Sequence, residues 1–229
     1  MSDATVYTFA DLPTWSQAGT WLAVVGHPIR HSLSPAMHTA ALAALGATEA
    51  RLADWRYTRF DIAPEDLPEA LELFHARGFR GLNLTVPHKV LAFNRVATVD
   101  QAARPIGAVN TLSWTAAGWQ GANTDGYGVA AALRDDLGVT LSGASVVLLG
   151  AGGAARGAAV EFLRQGVAAL WIVNRTRAHL EALLADLRPL AGSATLRGFA
   201  PAEIPPDLPA GAVVVNATSV GLRADDPSP

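Results

Sequence analysis

The sequence predicts an α/β protein with two domains, the first over residues 1–124 and the second over residues 125–229. Apolar, strand-like runs alternate with alanine- and leucine-rich helical segments, which is typical of layered α/β proteins. A glycine- and asparagine-bearing segment at residues 121–126 interrupts this alternation and resembles a hinge. After it, the continuous apolar run at residues 144–149 leads directly into a glycine-rich turn, which indicates a strand buried on both faces.

Composition limits the functional classes. The chain is 50% hydrophobic and 16% charged, which suits a compact enzyme. Its net charge of −3 and scattered arginines provide no basic stripe, so we expect no nucleic-acid partner. It has no cysteine, which excludes disulfides and thiolate metal sites and fits a reducing cytoplasm; we expect no metal site. No run is long enough for a membrane span, and the N-terminus lacks the shape of a signal peptide.

We therefore expect a cytoplasmic protein without a membrane partner. The chain has no heptad repeat, so a coiled-coil assembly is not expected. We expect either a monomer or a homodimer.

The first domain opens with a polar lead-in over residues 1–19 that shows no periodicity. The elements predicted after it are a strand over residues 21–25, a helix over 36–45, a strand over 50–58, a helix over 64–77 and a strand over 81–86. We expect Ser34 to be the N-cap of the first of these helices and Gly46 to close it.

Two hydroxyls, those of Ser32 and Ser34, lie near this helix start. Unpaired backbone N–H groups and the helix dipole favour an anion at such a place. An equally good interpretation is that Ser34 only caps its helix. The residues alone leave both open.

Lys89 is the only lysine; the other 16 of the 17 basic side chains are arginine. A lysine ammonium can be tuned to exchange a proton, whereas a guanidinium stays charged, so Lys89 is the leading acid/base candidate. It follows a strand that Pro87 must end, and strand ends are where ligands bind in α/β sheets. Asn83 and Thr85 share one face of that strand. A surface lysine and a half-buried strand are the alternatives.

Asp125 in the hinge-like segment is the carboxylate that we pair with Lys89. An aspartate in such a segment is also a common turn or cap residue. Asn110 and Asn123 lie in segments where an amide supplies a donor and an acceptor together, although asparagine favours turns in any case.

The glycine-rich turn matches G-x-G-x-x-G/A between a strand and a helix. Gly150 makes the turn, Gly152 lets the backbone approach a pyrophosphate, and Ala155 permits close helix packing. This context predicts a Rossmann-type, doubly wound parallel sheet that binds a dinucleotide. We include Gly153 and Ala154 in the cofactor site.

The next strand, at residues 169–173, ends at Asn174, Arg175 and Thr176 instead of at an acidic group. Arg175, together with Thr176 and Arg177, suits a 2′-phosphate, which favours NADP over NAD. A later apolar strand, at residues 212–215, ends in Asn216 and Thr218 and adds polar groups to the same rim.

The chain resembles the shikimate dehydrogenase family. The resemblance covers nearly the whole chain after residue 20 and is carried in order by the segments His27–Pro35, Asn83–Lys89, Gly107–Thr111, Asn123–Gly126, Gly150–Arg156, Asn174–Thr176 and Asn216–Ser219. It implies reversible oxidation of shikimate to 3-dehydroshikimate with NADP, between a substrate domain and a Rossmann domain. Ser32 and Ser34 would hold the substrate carboxylate. Asn83, Thr85 and Asn110 would line the site, and Lys89 and Asp125 would be the catalytic pair.

Two departures from the family stand out. Where many members carry a second basic residue for the 2′-phosphate, this chain has His179. It also stops soon after the strand that ends at Asn216, so we expect a Rossmann domain truncated at the C-terminus. The alternatives are a quinate/shikimate dehydrogenase of broader specificity and a nucleotide-binding regulatory protein without catalysis; retention of Lys89 and Asp125 counts against the second.

Overall fold

The computed structural model describes residues 5–203, 208 and 210–221, and these residues form two compact units. The first contains the described residues up to Asp100 together with Ala108–Ala122. The second contains Gln101–Gly107 and the described residues from Asn123 onward. Both units are α/β, as predicted. The segment at residues 222–229, on which the expected truncation depends, lies outside the described residues.

The first unit is built on a seven-stranded mixed sheet. Its strands are β1 (Val6–Thr8), β2 (Thr20–Gly26), β3 (Trp55–Asp61), β4 (Phe79–Leu84), β5 (Thr98–Val99), β6 (Thr111–Thr115) and β7 (Gly118–Ala122), in the order β1-β3-β2-β4-β6-β7-β5. Strands β1 to β4 pair in parallel, so their carboxyl ends lie at one edge, while β6 and β7 form an antiparallel hairpin. The helices are α1 (Ser34–Gly46), α2 (Leu67–Ala76) and α3 (His88–Phe93).

The two faces of β3 serve different purposes. Phe60 is fully buried and packs edge-to-face on Phe74 of α2, with ring centroids 4.9 Å apart. Tyr57, which points to the opposite face, stacks on His38 of α1 at 4.2 Å. Side chains alternate along a strand, so Arg59 and Asp61 share the face of Tyr57.

The second unit has a four-stranded parallel sheet. Its strands are β8 (Ser145–Leu149), β9 (Ala169–Val173), β10 (Thr195–Phe199) and β11 (Val213–Asn216), in the order β10-β9-β8-β11, and its helices are α4 (Asp125–Asp135), α5 (Gly153–Arg164) and α6 (Arg177–Leu187). The apolar run at residues 144–149 forms β8, whose three central residues are buried, and all five residues of β9 are buried. Helices α4 and α5 approach so closely that a Cβ at Gly126 would lie 2.3 Å from the Gly157 carbonyl oxygen.

The start of α1 differs from the prediction. Ser34 is the first residue of the helix and Leu33 is its N-cap, so Ser34 does not cap it. The helix ends at Gly46, as predicted, but this glycine does not take a left-handed conformation, and a Cβ there would lie 3.2 Å from the Cα of Ala53. Close packing, not helix termination, is the reason for glycine at this position.

One strand start and some short strands also differ from the prediction. The strand expected over residues 50–58 begins at Trp55, after a short 3-10 turn at Ala50–Leu52. The lead-in contains β1, which is too short to show periodicity. Strand β10 was not predicted from the sequence because Gly198 takes the place of an apolar side chain in its alternation.

Candidate active site

The loops that follow β2 and β4 meet at the carboxyl edge of the first sheet. The Thr85 N–H donates to the Val25 carbonyl at 2.9 Å, and the His27 N–H donates to the Val86 carbonyl at 3.0 Å. A Cβ at Gly26 would lie 2.4 Å from the Thr85 side chain, so this approach requires glycine. The strand alternation thus continues into a loop that carries Thr85 to the sheet edge.

Lys89 is the second residue of α3 and is partly buried. Its carbonyl accepts a hydrogen bond from the Val109 N–H at 2.9 Å, while the carbonyl of the neighbouring Asn110 accepts one from the Leu84 N–H at 2.8 Å. The His88 N–H also donates to the Thr85 carbonyl at 2.8 Å. These bonds bring together the backbones of Thr85, Lys89 and Asn110, three residues named from the sequence.

A chain of hydrogen bonds crosses the sheet towards Asn110. The Tyr57 hydroxyl donates to Asn83 Oδ1 at 2.7 Å, Asn83 Nδ2 donates to the Thr111 hydroxyl at 3.4 Å, and that hydroxyl donates to Asn110 Oδ1 at 3.0 Å. Burial raises the pKa of Tyr57, so its hydroxyl remains a neutral donor. The chain orients the carboxamides of Asn83 and Asn110.

Sequence reasoning missed Tyr57 and Thr111 as members of this chain. The signal for Thr111 was available, because it directly follows Asn110 and opens β6. Tyr57 joins through a contact 26 positions away in the sequence, which no local pattern reveals. Tyr57, Asn83 and Thr111 also line a cavity of about 540 Å³ in this unit.

The loop with the two serines is organised by hydrogen bonds. The Ser32 hydroxyl accepts the Ser34 N–H at 3.3 Å, and the Ser32 N–H donates to the Ile29 carbonyl at 3.0 Å. Asp61, at the end of β3, accepts from His27 Nδ1 at 2.5 Å and from the Ile29 N–H at 3.3 Å. Both serines are partly buried. Ser32, not Ser34, supplies the oxygen that satisfies a backbone donor at the helix start.

His88, immediately before Lys89, is fully buried and was also missed. Its Nε2 lies 2.9 Å from the Ile62 carbonyl oxygen, so Nε2 carries the proton and donates it. Burial lowers the pKa of His88, which keeps the ring neutral. The ring ties the first turn of α3 to the segment after β3.

In the second unit, Asp125 is the first residue of α4 and is partly buried. Its N–H donates to Asn123 Oδ1 at 3.0 Å. Asn123 therefore has the turn role that sequence reasoning considered for it. The carboxylate of Asp125 lies at a helix N-terminus, where the dipole favours negative charge.

The glycine turn has the geometry expected of a dinucleotide site. Gly150 has φ of 113°, in the left-handed region, and a Cβ there would lie 2.8 Å from the Ala217 carbonyl oxygen. A Cβ at Gly152 would meet no heavy atom within 4 Å. Helix α5 begins directly afterwards at Gly153 and Ala154, with Gly152 as N-cap. Ala155 is fully buried. The open space beside Gly152 and the helix N-terminus fit a pyrophosphate.

The arginines after β9 differ from each other. Asn174 Nδ2 donates to the Thr176 carbonyl at 2.8 Å and shapes this turn. Arg177 forms an ion pair with Glu203, with 2.7 Å between Nη2 and Oε1. The pKa of the Glu203 carboxyl lies below its ordinary value, first because the Ala200 N–H donates to it and second because Arg177 is positively charged. Arg175 is exposed and forms no ion pair with any described residue. Of the two arginines, Arg175 is the better placed to receive a phosphate.

The turn after β11 completes this edge. Asn216 Oδ1 accepts from both the N–H and the hydroxyl of Thr218, at 3.0 and 2.7 Å, and Asn216 Nδ2 donates to the Val220 carbonyl at 2.9 Å. Because the four strands are parallel, the turns after β8, β9 and β11 lie on the same edge. The cofactor residues named from the sequence are therefore grouped in the second unit.

Other site types find no support in the described part of the chain. Within it there is no cluster of three or more histidine, aspartate or glutamate side chains that would hold a metal ion. Nor does any helix among the described residues have the length and apolarity needed to cross a membrane.

Comparison with known proteins agrees with both units. Residues 24–112 match the family model of the shikimate dehydrogenase substrate binding domain, and residues 132–219 match that of shikimate / quinate 5-dehydrogenase. A protein from Anaeromyxobacter sp. (strain Fw109-5) named shikimate dehydrogenase (NADP(+)) is 44% identical over 208 residues, which is 89% of this chain and 70% of that protein. The chain belongs to the shikimate dehydrogenase family.

Two other members of the family support this result. A protein of the same name from Rubrobacter xylanophilus is 42% identical over 90% of this chain and 70% of its own length. The crystal structure of shikimate 5-dehydrogenase from Thermus thermophilus in complex with NADP(H) and shikimate is 38% identical, with a TM-score of 0.72 over 89% of this chain and 70% of that one. The predicted family and fold class are confirmed.

Proposed function

We propose that this protein catalyses the reversible, NADP-dependent oxidation of shikimate to 3-dehydroshikimate, a step of aromatic amino-acid biosynthesis. The observation that carries the proposal is the grouping of Lys89, Thr85 and Asn110 at one sheet edge in a chain of this family. The substrate-binding domain would span residues 1–124 and the NADP-binding domain residues 125–229.

The substrate site is formed by the first domain. Ser32 and Ser34 hold the carboxylate of shikimate, because two hydroxyls and the start of α1 offer donors to an anion. Asn110, oriented by Thr111, binds a ring hydroxyl. Asn83 and Thr85 line the site, with Asn83 held by the Tyr57 hydroxyl.

Lys89 and Asp125 carry the proton. Neutral Lys89, or Lys89 sharing its proton with Asp125, accepts the proton of the hydroxyl that becomes the ketone. In the reverse direction the ammonium returns it.

The NADP site is formed by the second domain. Gly150, Gly152, Gly153 and Ala154 hold the pyrophosphate at the start of α5. Arg175 receives the 2′-phosphate, with Thr176 and Arg177 beside it, and the remaining contacts come from Asn174, Asn216 and Thr218. When bound, NADP accepts the hydride that leaves the carbinol carbon.

Quinate is the second candidate substrate. The model that matches residues 132–219 describes shikimate and quinate 5-dehydrogenases together. Quinate differs from shikimate by water added across the ring double bond, and its additional hydroxyl lies on the carbon that bears the carboxylate. The partner of that hydroxyl would therefore come from the side chains around Ser32 and Ser34. For the protein as a whole, we propose a cytoplasmic monomer or homodimer; the absence of cysteine supports a reducing compartment.

An absorbance assay at 340 nm tests the proposal. The purified protein is given shikimate or quinate with NADP or NAD, and the expected order is that shikimate with NADP gives the highest kcat/KM. Higher kcat/KM for quinate favours the broader enzyme. Absence of turnover with every pair, in protein that still binds NADP, identifies a regulatory nucleotide-binding protein and refutes the enzymatic proposal.

A further inference from the structure

We propose that Arg59 is a positioning residue that fixes the loop bearing Ser32 and Ser34 and makes the enzyme select substrates with a carboxylate. This inference rests on the proposed function. Its basis is a buried guanidinium that donates to the backbone of that loop.

Arg59 lies in the middle of β3 and is only 6% exposed. Its Nη1 donates to the Arg30 carbonyl and lies 3.4 Å from the Ser32 carbonyl oxygen. A guanidinium stays protonated at any working pH, so a permanent positive charge lies beneath the backbone of Ser32. Burying such a charge is costly unless it is hydrogen-bonded. Hydrogen bonds from a charged donor are also stronger than neutral ones, so these two contacts hold the loop firmly.

Asp61 complements Arg59 on the same face of β3. Its carboxylate accepts the Ile29 N–H at 3.3 Å and His27 Nδ1 at 2.5 Å. The carboxylate thus holds donors at the start of the loop, while the guanidinium holds acceptors further along it. Two side chains of one rigid strand fix a loop that has no regular structure of its own.

The loop geometry determines how the serines meet an anion. The Ser32 hydroxyl already accepts the Ser34 N–H at 3.3 Å, so its own proton is the one it can donate to a carboxylate. Two hydroxyls bind both oxygens of a carboxylate only when their spacing is held, and loosening a site by about 1 Å is a common cause of lost function.

Charge adds to this effect. The attraction between a guanidinium and a substrate carboxylate is larger in a partly buried site than in water, because the effective dielectric constant is lower. The methyl ester of shikimate has the same ring and hydroxyls but no charge. If Arg59 acts as proposed, its removal lowers kcat/KM for the acid more than kcat/KM for the ester. If Arg59 only stabilises the fold, its removal lowers both kcat/KM values by the same factor.

The experiment compares kcat/KM for shikimate and for its methyl ester in the parent, Arg59→Gln, Arg59→Lys and the control Arg51→Gln. Arg51 is an exposed arginine paired with Glu49, so the control removes one charge without touching the loop. The ratio of the two kcat/KM values is independent of the fraction of folded enzyme. The affinity for NADP is measured alongside.

We expect Arg59→Gln to raise KM for shikimate by about 10- to 100-fold, the range of a hydrogen bond to a charged group, with kcat and NADP affinity near those of the parent. The acid-to-ester ratio should fall by about 10-fold in Arg59→Gln, stay within about 3-fold in Arg59→Lys, and not change in Arg51→Gln.

An unchanged ratio in Arg59→Gln overturns the inference. If Arg59→Gln does not fold, Arg59→Lys is the deciding variant. A single ammonium does not reproduce the forked N–H donors of a guanidinium, so KM for shikimate should rise about 10-fold. An unchanged KM in Arg59→Lys overturns the inference. Failure of the parent to oxidise shikimate at all refutes the proposed function instead, so the two failures are distinct.

Discussion

Replacing Gly152 with alanine should weaken cofactor binding and leave the fold intact. Gly152 has φ of −84° and ψ of −170°, an extended conformation that alanine adopts without strain. No heavy atom lies within 4 Å of the added methyl group. We therefore expect the free energy of unfolding to change by less than about 1 kcal/mol, with a slight gain from the lower entropy of the unfolded chain.

The same methyl group would occupy the space proposed for the pyrophosphate. Overpacking costs about 1–3 kcal/mol, which corresponds to a loss of affinity of about 5- to 150-fold. Isothermal titration with NADP and a thermal melt without it measure the two effects separately. Gly152→Ala should raise Kd and leave Tm unchanged.

Gly150→Ala is the matched comparison two residues earlier. Here φ is 113° and the added Cβ would lie 2.8 Å from the Ala217 carbonyl oxygen, so stability itself should fall by about 1–3 kcal/mol. If Gly152→Ala binds NADP as tightly as the parent, the pyrophosphate does not lie where we propose. A large loss of Tm in Gly152→Ala would contradict the geometric argument.

Three further outcomes are expected. Tyr57→Phe leaves Asn83 Oδ1 without its donor and should lower stability by about 1–3 kcal/mol in urea unfolding, together with kcat/KM for shikimate; unchanged values would show that the hydrogen-bond chain is unimportant. The pKa of His88 lies below its ordinary value of 6.5, so the free energy of unfolding should be retained above pH 6.5 and lost as the pH falls below it, by at most about 1.4 kcal/mol per pH unit. The stability of His88→Gln should depend less on pH, and equal slopes of stability against pH in the two proteins would exclude this histidine. Gly126→Ala should destabilise the protein by about 1–3 kcal/mol because the added Cβ would lie 2.3 Å from a backbone carbonyl oxygen. Gly128→Ala, on the same helix, should stabilise it slightly because no atom lies within 4 Å of the added Cβ, and similar Tm values for the two variants would refute the tight packing.

Local patterns were enough to predict the second unit in large part. The strand before the glycine turn and β9 are continuous apolar runs, and the identity of Gly150 follows from a left-handed φ that only glycine adopts readily. Strand β10 was missed because Gly198 weakens its own pattern, and parallel pairing with β9 makes it a strand.

The first unit was less predictable because its site depends on contacts between distant segments. Serine is a favourable N-cap residue, yet the helix starts at Ser34 itself, and the Ser32 hydroxyl accepts the hydrogen bond from the Ser34 N–H. Tyr57, Arg59 and His88 contribute through partners that lie 26 to 29 positions away. Residue type and spacing indicate candidates such as Lys89, whereas the residues that orient them emerge only from the fold.

The most direct test of the central claim measures turnover of shikimate and binding of NADP in Lys89→Ala and Lys89→Arg. General acid–base catalysis contributes about 10²–10⁴-fold in rate, so kcat should fall by that factor in Lys89→Ala and nearly as much in Lys89→Arg, while Kd for NADP stays at the parent value. Turnover near the parent rate in either variant would contradict the account.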